Sequence, residues 1–492
     1  MDATVRRNNS ESQFDAVVIG AGFAGLSTLH NLRDKQGLSV QVFEAGSDVG
    51  GTWYWNRYPG ARCDSESVYY MFSDHMSEEI LQEWSWSERY AAQPEILRYM
   101  QFVADKMDLR RGIRFNTRVE SALFDETTRR WLITTDDGDQ VTAQYLITGV
   151  GCLSKPFTPE IDGTNTFQGE ICHTAEWPDE GIDFTGKRVA VIGTGATAVQ
   201  VVPEIAPQAA QLSVFQRTPS HDIPGRNYPL DDDYIKELKN NYKETWEDLR
   251  NSFGGFANPP SSISALEVSA EERTRLYDEA WAHGGLRFGF GTFNDLMINK
   301  EANDTAVEYL SARISETVDD PEVADLLTAK YPFFTKRPPL EHGYYQAFNR
   351  DNVSLIDLRS TPIKAITPTG IQTSAAEFEF DCIIFATGFD AMTGALFSID
   401  IRGRNGVPLK EQWAEGPKTY LGLTTSGFPN MFMISGPQSP SVLTNMPVSI
   451  EQHVEWVSDC ISYMKQQQID CLEALPEAEE SWINHHEEVS NA

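Results

Sequence analysis

The sequence predicts an α/β protein with two Rossmann-like dinucleotide-binding domains and a helical insertion. Three observations predict this fold class: two segments with the same strand, glycine turn and helix layout, a further strand after each segment, and a long stretch of helical periodicity after the second segment. The chain has 492 residues, of which 40% are hydrophobic. At about 150 residues per domain, this length allows roughly three folded units.

The first segment begins with an apolar strand, Ala-Val-Val-Ile at residues 16–19, which leads into the turn Gly-Ala-Gly-Phe-Ala-Gly. Residues 26–32 then follow a helical pattern, and residues 40–43 form a second apolar strand. That strand ends at Glu44, 24 positions after the first glycine, which is the dinucleotide-binding layout. The three fingerprint glycines are Gly20, Gly22 and Gly25.

The second segment repeats this layout much later in the chain. Apolar residues 189–192 lead into the turn Gly-Thr-Gly-Ala-Thr-Ala, and residues 212–215 form a strand that leads to Arg217. Arg217 again lies 24 positions after the first glycine of its turn, Gly193. The third fingerprint position is alanine, Ala198, which still permits close packing of the helix on the strand.

Each glycine turn is expected to place the pyrophosphate of a dinucleotide at the positive end of the following helix. Two such turns in one chain therefore imply two dinucleotides. The strand-end residues distinguish them, because Glu44 can accept hydrogen bonds from ribose hydroxyls whereas Arg217 offers a cationic fork to a 2′-phosphate. We expect FAD at the first site and NADPH at the second.

The remaining elements come from periodicity. Residues 131–141 are typical of a hairpin around Asp-Asp-Gly, and apolar strands are expected at 145–147 and 382–385. From residue 231 to residue 319 the pattern becomes helical. The apolar positions that recur at spacings of three and four are Ile235, Leu238, Tyr242, Trp246 and Leu249.

Composition excludes several classes of function. The 72 acidic residues against 40 basic ones give a formal charge of −32, which disfavours nucleic acid and anionic membranes as partners. This acidic excess is consistent with either a high-salt habitat or ordinary solubility. Residues 1–12 lack the apolar run of a signal peptide, and no uncharged run reaches membrane-spanning length, so we expect a cytoplasmic protein. The six cysteines are scattered, which predicts free thiols and no metal site.

Two further stretches carry a family resemblance. Residues 50–64 read Gly-Gly-Thr-Trp-Tyr-Trp-Asn-Arg-Tyr-Pro-Gly-Ala-Arg-Cys-Asp, and Phe167-x-Gly-x-x-x-His173-x-x-x-Trp177-Pro178 stands just before the second segment. Together they resemble the type I Baeyer-Villiger monooxygenases, the class B flavoprotein monooxygenases, over most of the chain. The N- and S-oxygenating flavin monooxygenases usually have another aromatic residue at the position of Trp177. They remain the alternative, as does a flavoprotein that has lost turnover and acts as a redox sensor.

The resemblance implies a division of the chain and a reaction. An FAD domain would comprise residues 1–150 and 386–492, an NADP domain residues 151–224 and 334–385, and the helical insertion residues 225–333. NADPH would reduce the flavin, O2 would add to it, and the flavin peroxide would attack a ketone to give an ester or lactone. The sequence indicates neither the ketone nor the oligomeric state.

The resemblance also assigns residues. Arg337 would stabilise the negative peroxide, Asp64 would orient Arg337, and Lys336 would join Arg217 on the 2′-phosphate. Further FAD contacts would come from Gly51, Thr52, Trp53, Arg62, Cys63, Asp64, Tyr70 and Met446, and further NADPH contacts from Thr194, Gly195, Ala196, Thr197, Ala198, Gln200 and Gln216. Residues 440–446 resemble the loop that lines the ketone pocket. His173 is expected to be structural or domain-coupling rather than an acid or base.

One departure from the family concerns the C-terminus. Family members usually continue beyond the equivalent of Glu488 into a segment with a tryptophan-bearing lid loop and a further strand, whereas this sequence ends at Ala492. Either that segment was removed or the protein lacks it, and closure of a lid over the nicotinamide depends on which is true.

Overall fold

The computed structural model describes residues 12–439 and 443–491. Residues 1–11, which underlie the prediction that there is no signal peptide, lie outside the described residues. The strands are β1 Ser12–Ile19, β2 Val40–Phe43, β3 Ile113–Arg114, β4 Val119–Asp125, β5 Arg130–Thr135, β6 Gln140–Thr148, β7 Glu170–His173, β8 Arg188–Ile192, β9 Gln211–Gln216, β10 Ile223–Pro224, β11 Leu340–Glu341, β12 Val353–Asp357, β13 Ile363–Thr367, β14 Gly370–Thr373, β15 Glu377–Glu379, β16 Cys382–Phe385, β17 Asp400–Arg402 and β18 Met431–Met433.

Helices cover the sheets and form the insertion. They are α1 Phe23–Leu29, α2 Thr52–Trp55, α3 Glu78–Glu83, α4 Gln93–Lys106, α5 Ala196–Ile205, α6 Asp232–Asn240, α7 Tyr242–Asn251, α8 Ala270–His283, α9 Arg287–Phe290, α10 Lys300–Thr317, α11 Pro321–Leu327, α12 Tyr344–Ala347, α13 Gly394–Phe397, α14 Leu409–Gln412, α15 Met446–Gln467 and α16 Pro476–Asn491. A π-helical turn, His30–Lys35, continues α1 directly.

The first sheet combines strands from both ends of the chain. Its order is β17-β4-β5-β6-β1-β2-β3, and β18 pairs with β6. The strands β1 and β18 pair in parallel with β6, and β2 and β3 extend this parallel part beyond β1. The strands β4, β5 and β6 form an antiparallel meander. The carboxyl-terminal halves of β1 and β6 are buried because helices pack on this part of the sheet.

The second sheet is parallel throughout, in the order β12-β9-β8-β16-β7. Its central strand β8 leads through the second glycine turn into α5, whose apolar side is buried against the sheet. Parallel strands covered by helices read as continuous apolar runs, which is the pattern the sequence shows. The two sheets confirm the predicted fold class, while the domain boundaries themselves stay a prediction.

The predicted hairpin is confirmed, with β5 and β6 paired around residues 136–138. One detail differs, because the strand expected separately at 145–147 is the continuation of β6. The expected strand at 382–385 is confirmed as β16.

The insertion is helical, but less continuously than the periodicity predicts. The expected apolar positions are all buried, yet they lie on two helices, α6 and α7, that meet at Asn241. Residues 256–269 contain no helix, because Pro259-Pro260 and four serines interrupt the pattern. The paired strands β10 and β11 stand at the entrance and exit of the insertion.

Two absences hold for the described ranges. None of their helices is both long and apolar enough to cross a bilayer. They also contain no group of three or more His, Cys, Asp or Glu side chains arranged to hold a metal ion.

Candidate functional site

The first glycine turn joins β1 to α1, and its backbone lies very close to neighbouring backbone atoms. Gly20 has a φ of +100°, and a side chain there would meet the carbonyl of Gly149 at 2.6 Å. An added Cβ at Gly25 would overlap the carbonyl oxygen of Gly20, so only glycine lets α1 pack on the strand. Gly22 and Gly51 face each other across bare backbone. This is the surface that a pyrophosphate needs to approach, and the residues present fit FAD.

Glu44 follows β2 and is buried beside this turn. Its carboxylate accepts hydrogen bonds from the N–H groups of Ala21 at 2.8 Å and Gly46 at 2.7 Å. Burial raises the pKa of Glu44 above its ordinary value, although these N–H donors oppose the shift. Each oxygen keeps a second lone pair, so the predicted contact with ribose hydroxyls is chemically possible.

The second glycine turn joins β8 to α5 and is more open. A side chain at Gly195 would meet nothing within 4 Å, which leaves room for a phosphate above the first turn of α5. Thr194 is buried and donates from its hydroxyl to the carbonyl of Thr218 at 2.9 Å. Ser220 donates in return to the carbonyl of Thr194 at 3.0 Å, so the loop after β9 is fixed to the turn.

Arg217 and Lys336, the residues predicted to bind the 2′-phosphate, are both exposed. Neither forms an ion pair with a carboxylate in the part of the chain that the structure describes. The ammonium group of Lys336 lies 5.4 Å from the centre of the Tyr331 ring. The carbonyl of Tyr331 accepts a hydrogen bond from His221, which follows Arg217 in the same loop. Two unpaired cations therefore stand on facing segments of a strongly acidic chain.

Two glutamines predicted to contact NADPH are turned toward protein groups. Gln216 is buried and its side-chain amide donates to the carbonyl of Leu326 on α11 at 2.7 Å. Gln200 donates to the carbonyl of Arg62 at 3.0 Å and accepts from the Tyr58 hydroxyl at 2.8 Å. Gln200 thus connects α5 of the second sheet to the segment that precedes Asp64. The other residues of this turn, Ala196, Thr197 and Ala198, form the first turn of α5.

Arg337 and Asp64 meet although 273 positions separate them. The Nε and Nη2 atoms of Arg337 donate to the two carboxylate oxygens of Asp64, each at 2.9 Å. Arg337 also donates to the Ser65 hydroxyl at 3.4 Å and to the carbonyl of Thr444 at 3.3 Å. Such a forked pair fixes both the position and the plane of the guanidinium.

Arg337 remains protonated in this environment. Burial alone would lower its pKa, but the charge and hydrogen bonds of Asp64 outweigh burial and raise the pKa above its ordinary value. The guanidinium is therefore positive at every working pH. A fixed positive charge that is largely shielded from water is suited to stabilising negative charge on an oxygen atom.

Most of the residues predicted around FAD lie on the segment between the first glycine unit and Tyr70. Trp53 is buried and donates from its indole to the Tyr70 hydroxyl at 3.3 Å. Arg62 donates to the carbonyl of Tyr90 at 2.9 Å. Burial raises the pKa of the Cys63 thiol, so this residue is not a reactive thiolate. The predicted contacts Thr52 and Met446 begin α2 and α15, respectively.

Sequence reasoning missed one neighbour of Arg337. Phe256, in the irregular part of the insertion, lies with its ring centre 5.4 Å from the guanidinium carbon. The Phe290 ring stacks on Phe256 at 5.4 Å. No sequence signal points to Phe256, because its loop has no periodicity and no motif. Of the loop at 440–446, residues 440–442 lie outside the described residues.

His173 does not approach Arg337 through any described contact. Its ring accepts from the N–H of Ala175 at 3.0 Å and lies 3.3 Å from the Thr387 hydroxyl. Burial lowers its pKa. These contacts support the expectation of a structural residue, which joins the end of β7 to the segment that follows β16. Trp177 is buried against Phe184.

Comparisons with known proteins agree with this geometry. Residues 15–237 match the family described as flavin-binding monooxygenase-like. A Baeyer-Villiger monooxygenase of Pseudooceanicola batsensis is 46% identical over 98% of this chain and 87% of its own length. Phenazine N-monooxygenase PhzNO1 of Lysobacter antibioticus is 42% identical over 98% of this chain and 88% of its own length. The solved structure of an oxidised steroid monooxygenase bound to NADP is 52% identical, with a TM-score of 0.92, over 96% of this chain and 90% of that one.

Proposed function

The chain belongs to the flavin-binding monooxygenase-like proteins and, within them, to the Baeyer-Villiger monooxygenases, and on this premise we propose which residues perform its reaction and which ketones it accepts. It is an FAD- and NADPH-dependent enzyme that converts ketones to esters or lactones with O2. FAD, once reduced by NADPH, supplies the activated oxygen that is inserted beside the carbonyl.

The two-bond contact between Arg337 and Asp64 carries the proposal about the reaction. Arg337 stabilises the negative charge on oxygen during attack on the ketone, and Asp64 holds the guanidinium in the required plane. The carbonyl of Thr444 fixes the opposite side of the guanidinium. Because Arg337 stays protonated, it acts by charge and not by proton transfer.

The cofactors are assigned to the two glycine turns. FAD is held by Gly20, Gly22, Gly25 and Gly51, with Glu44 on its ribose. NADPH is held by the first turn of α5, with its 2′-phosphate on Arg217 and Lys336. These assignments are supported by the bare backbone at the glycines and by the unpaired cations.

The substrate class is supported by the rings beside Arg337. Phe256 and Phe290 form an aromatic wall next to the guanidinium. Such a wall favours apolar ketones, in which a hydrocarbon body packs on the rings while the carbonyl faces Arg337. We therefore propose cyclic and polycyclic ketones, and the similarity to a steroid monooxygenase supports the inclusion of bulky ones.

The six cysteines are all free thiols, which supports a reducing compartment such as the cytoplasm.

A ketone panel tests the function. The FAD-loaded enzyme, NADPH and air should give products one oxygen atom heavier than each accepted ketone, identified as lactone or ester by mass spectrometry. A phenazine belongs in the same panel, because one relative is an N-monooxygenase. N-oxide formation together with no ester from any ketone would favour the N-oxygenating alternative.

Arg337→Ala tests the assigned role. We expect NADPH to bleach the flavin under anaerobic conditions at nearly the normal rate, while ester formation falls by a factor of about 100 or more, as when one group that stabilises an anionic oxygen is removed. The exposed Arg350 offers a matched control, and Arg350→Ala should change neither step. Ester formation retained by Arg337→Ala would remove Arg337 from the mechanism.

A further inference from the structure

The carboxyl ends of two neighbouring parallel strands each carry an arginine. Arg217 directly follows β9, and Arg359 lies two positions after the end of β12. The strands pair in parallel with Asp357 opposite Gln216, and the N–H of Leu358 continues the pairing by donating to the carbonyl of Gln216 at 2.7 Å. Both arginines therefore leave the sheet at the edge where a parallel sheet binds its ligand.

A direct hydrogen bond ties the second arginine to the first. The Nε atom of Arg359 donates to the backbone carbonyl of Arg217 at 2.7 Å. This bond uses only one of the five N–H donors of the guanidinium and holds the Arg359 side chain against the backbone of Arg217. Arg359 is exposed, and within residues 12–439 and 443–491 it forms no ion pair with a carboxylate.

The nearby carboxylate of Asp357 attracts Arg359 electrostatically, but in the described part of the chain it forms no ion pair with it. The Oδ1 atom of Asp357 accepts from the backbone N–H of Arg359 at 3.0 Å, so it is directed into its own turn. Among the described residues neither Arg217 nor Arg359 has an ion-paired carboxylate, although the chain has 72 acidic and 40 basic residues. Two arginines joined through the Arg217 backbone raise the positive potential at this edge of the sheet, which favours binding of an anion there.

We propose that Arg359 binds the 2′-phosphate of NADPH together with Arg217 and thereby increases the preference for NADPH over NADH. A phosphate monoester carries a charge of about −1.5 to −2 at pH 7, so one guanidinium neutralises only part of it. The overall charge of −32 repels such an anion, which makes a second local cation valuable. This inference rests on the proposed role of Arg217.

Binding of two adenine nucleotides to the FAD-loaded enzyme tests the proposal. Adenosine 2′,5′-bisphosphate carries the 2′-phosphate and 5′-AMP lacks it, and calorimetry gives the Kd of each. Arg359→Gln should weaken the bisphosphate roughly threefold to tenfold, as expected for one charge-assisted contact, and leave 5′-AMP unchanged. The ratio of kcat/KM for NADPH to that for NADH should fall by the same factor. Equal weakening of both nucleotides would mean that Arg359 contacts adenine, and the proposal would fail.

Two further variants separate charge from loop positioning. Arg359→Lys keeps the positive charge but cannot reproduce the fixed fork, so it should retain part of the preference for the bisphosphate. If Lys and Gln at this position lose the preference equally, Arg359 only positions the Arg217 loop and the proposal is overturned. Arg350 lies on the amino-terminal side of β12 and is exposed, so Arg350→Gln changes the charge equally and should leave the ratio unaltered.

Arg217→Gln distinguishes a failure of the proposed 2′-phosphate site from a failure of the role proposed for Arg359. If this variant also leaves the ratio of the two Kd values unchanged, the 2′-phosphate site itself has been assigned wrongly. If Arg217→Gln lowers the preference and Arg359→Gln does not, only the role of Arg359 is refuted.

Discussion

Arg337 has a fixed charge because three separate parts of the chain hold it. Asp64 lies just after the first glycine unit, Thr444 just before α15, and Arg337 at the exit of the insertion. An exposed ion pair contributes little to stability, but the Arg337 and Asp64 side chains are only 17% and 29% exposed. Removing one partner leaves the other charged and poorly solvated. The pair is therefore a sensitive site for both stability and chemistry.

Asp64→Asn tests this sensitivity. The amide keeps the shape of the carboxylate but loses its charge and one acceptor, so Arg337 is held in a less defined plane. We expect the free energy of unfolding to fall by about 1–2 kcal/mol, which allows for partial exposure of the pair. More hydrogen peroxide per NADPH should be released because oxygen transfer is less well coupled. Urea unfolding and peroxide assays measure the two effects.

Asp400 provides the control, because both of its carboxylate oxygens accept from the Nε–H of Arg402 in an ion pair on the exposed surface. Asp400→Asn should measurably change neither the free energy of unfolding nor the release of hydrogen peroxide. Identical behaviour of the two variants would contradict the assigned role of Asp64.

At the level of single residues, sequence motifs predicted more of the candidate site than the periodicity of apolar residues did. Arg337 and Asp64 could be paired only through the family resemblance, because no periodicity relates positions so far apart. Phe256 could not be predicted at all, since it reaches Arg337 from a loop without regular structure. The direction of Gln216 also depends on tertiary packing, which places Leu326 within its reach.

Among the secondary-structure elements, helix α5 has two roles. Its N-terminus faces the expected phosphate, while Gln200, one turn later, bonds the segment around Arg62 and Tyr58. Gly60 packs on the same part of α5, where a side chain would overlap the carbonyl of Gln200. The helix therefore sets the position of the second sheet relative to the FAD side of the site.

Gln200→Ala should loosen this connection. We expect flavin reduction by NADPH to slow roughly tenfold or more, because a displacement of about 1 Å between reacting groups can cost a factor of 100. Stopped-flow absorbance under anaerobic conditions measures the rate. Gln208, exposed beyond the end of α5, has a side-chain amide that donates to the carbonyl of Glu204, and it gives the control. An unchanged rate in Gln200→Ala would show that this contact does not position the cofactors.

Long apolar and periodic elements were predictable, and short exposed ones were not. The strands β1, β2, β8, β9 and β16 are apolar runs that their sheets bury, so periodicity located them. The small sheet of β13, β14 and β15 alternates weakly and was not predicted. The break at Asn241 was missed because the apolar spacing continues across it.

At the level of the whole molecule, the insertion is fixed to the FAD side by charges on two long helices. Arg250 on α7 donates to both carboxylate oxygens of Glu455 on α15, at 2.9 and 3.2 Å. Its Nη2 atom is also 3.5 Å from Glu451, which is almost fully buried. Because α15 begins at Met446, this interface connects the insertion to the loop beside Arg337.

Glu451 should make the stability of the whole protein depend on pH. Burial raises its pKa to about 7, although hydrogen bonds from Ser73 and the charge of Arg250 oppose the shift. The unfolded carboxyl has a pKa of about 4.3, so its contribution to stability is fully present below that pH. The contribution is then lost as the pH rises through about 7.

Glu451→Gln keeps the acceptor for the Ser73 N–H, now 2.9 Å from Oε1, but cannot ionise. The free energy of unfolding of the variant relative to the parent should therefore increase from pH 5 to pH 8, by up to about 3 kcal/mol if the whole shift is expressed. Urea unfolding at each pH measures this difference, in which the other titrating groups cancel. The exposed Glu480 gives a control, Glu480→Gln, whose difference should stay flat. A flat difference for Glu451→Gln as well would mean that Arg250 and the Ser73 N–H fully compensate the burial, and that the interface between the insertion and α15 does not respond to pH.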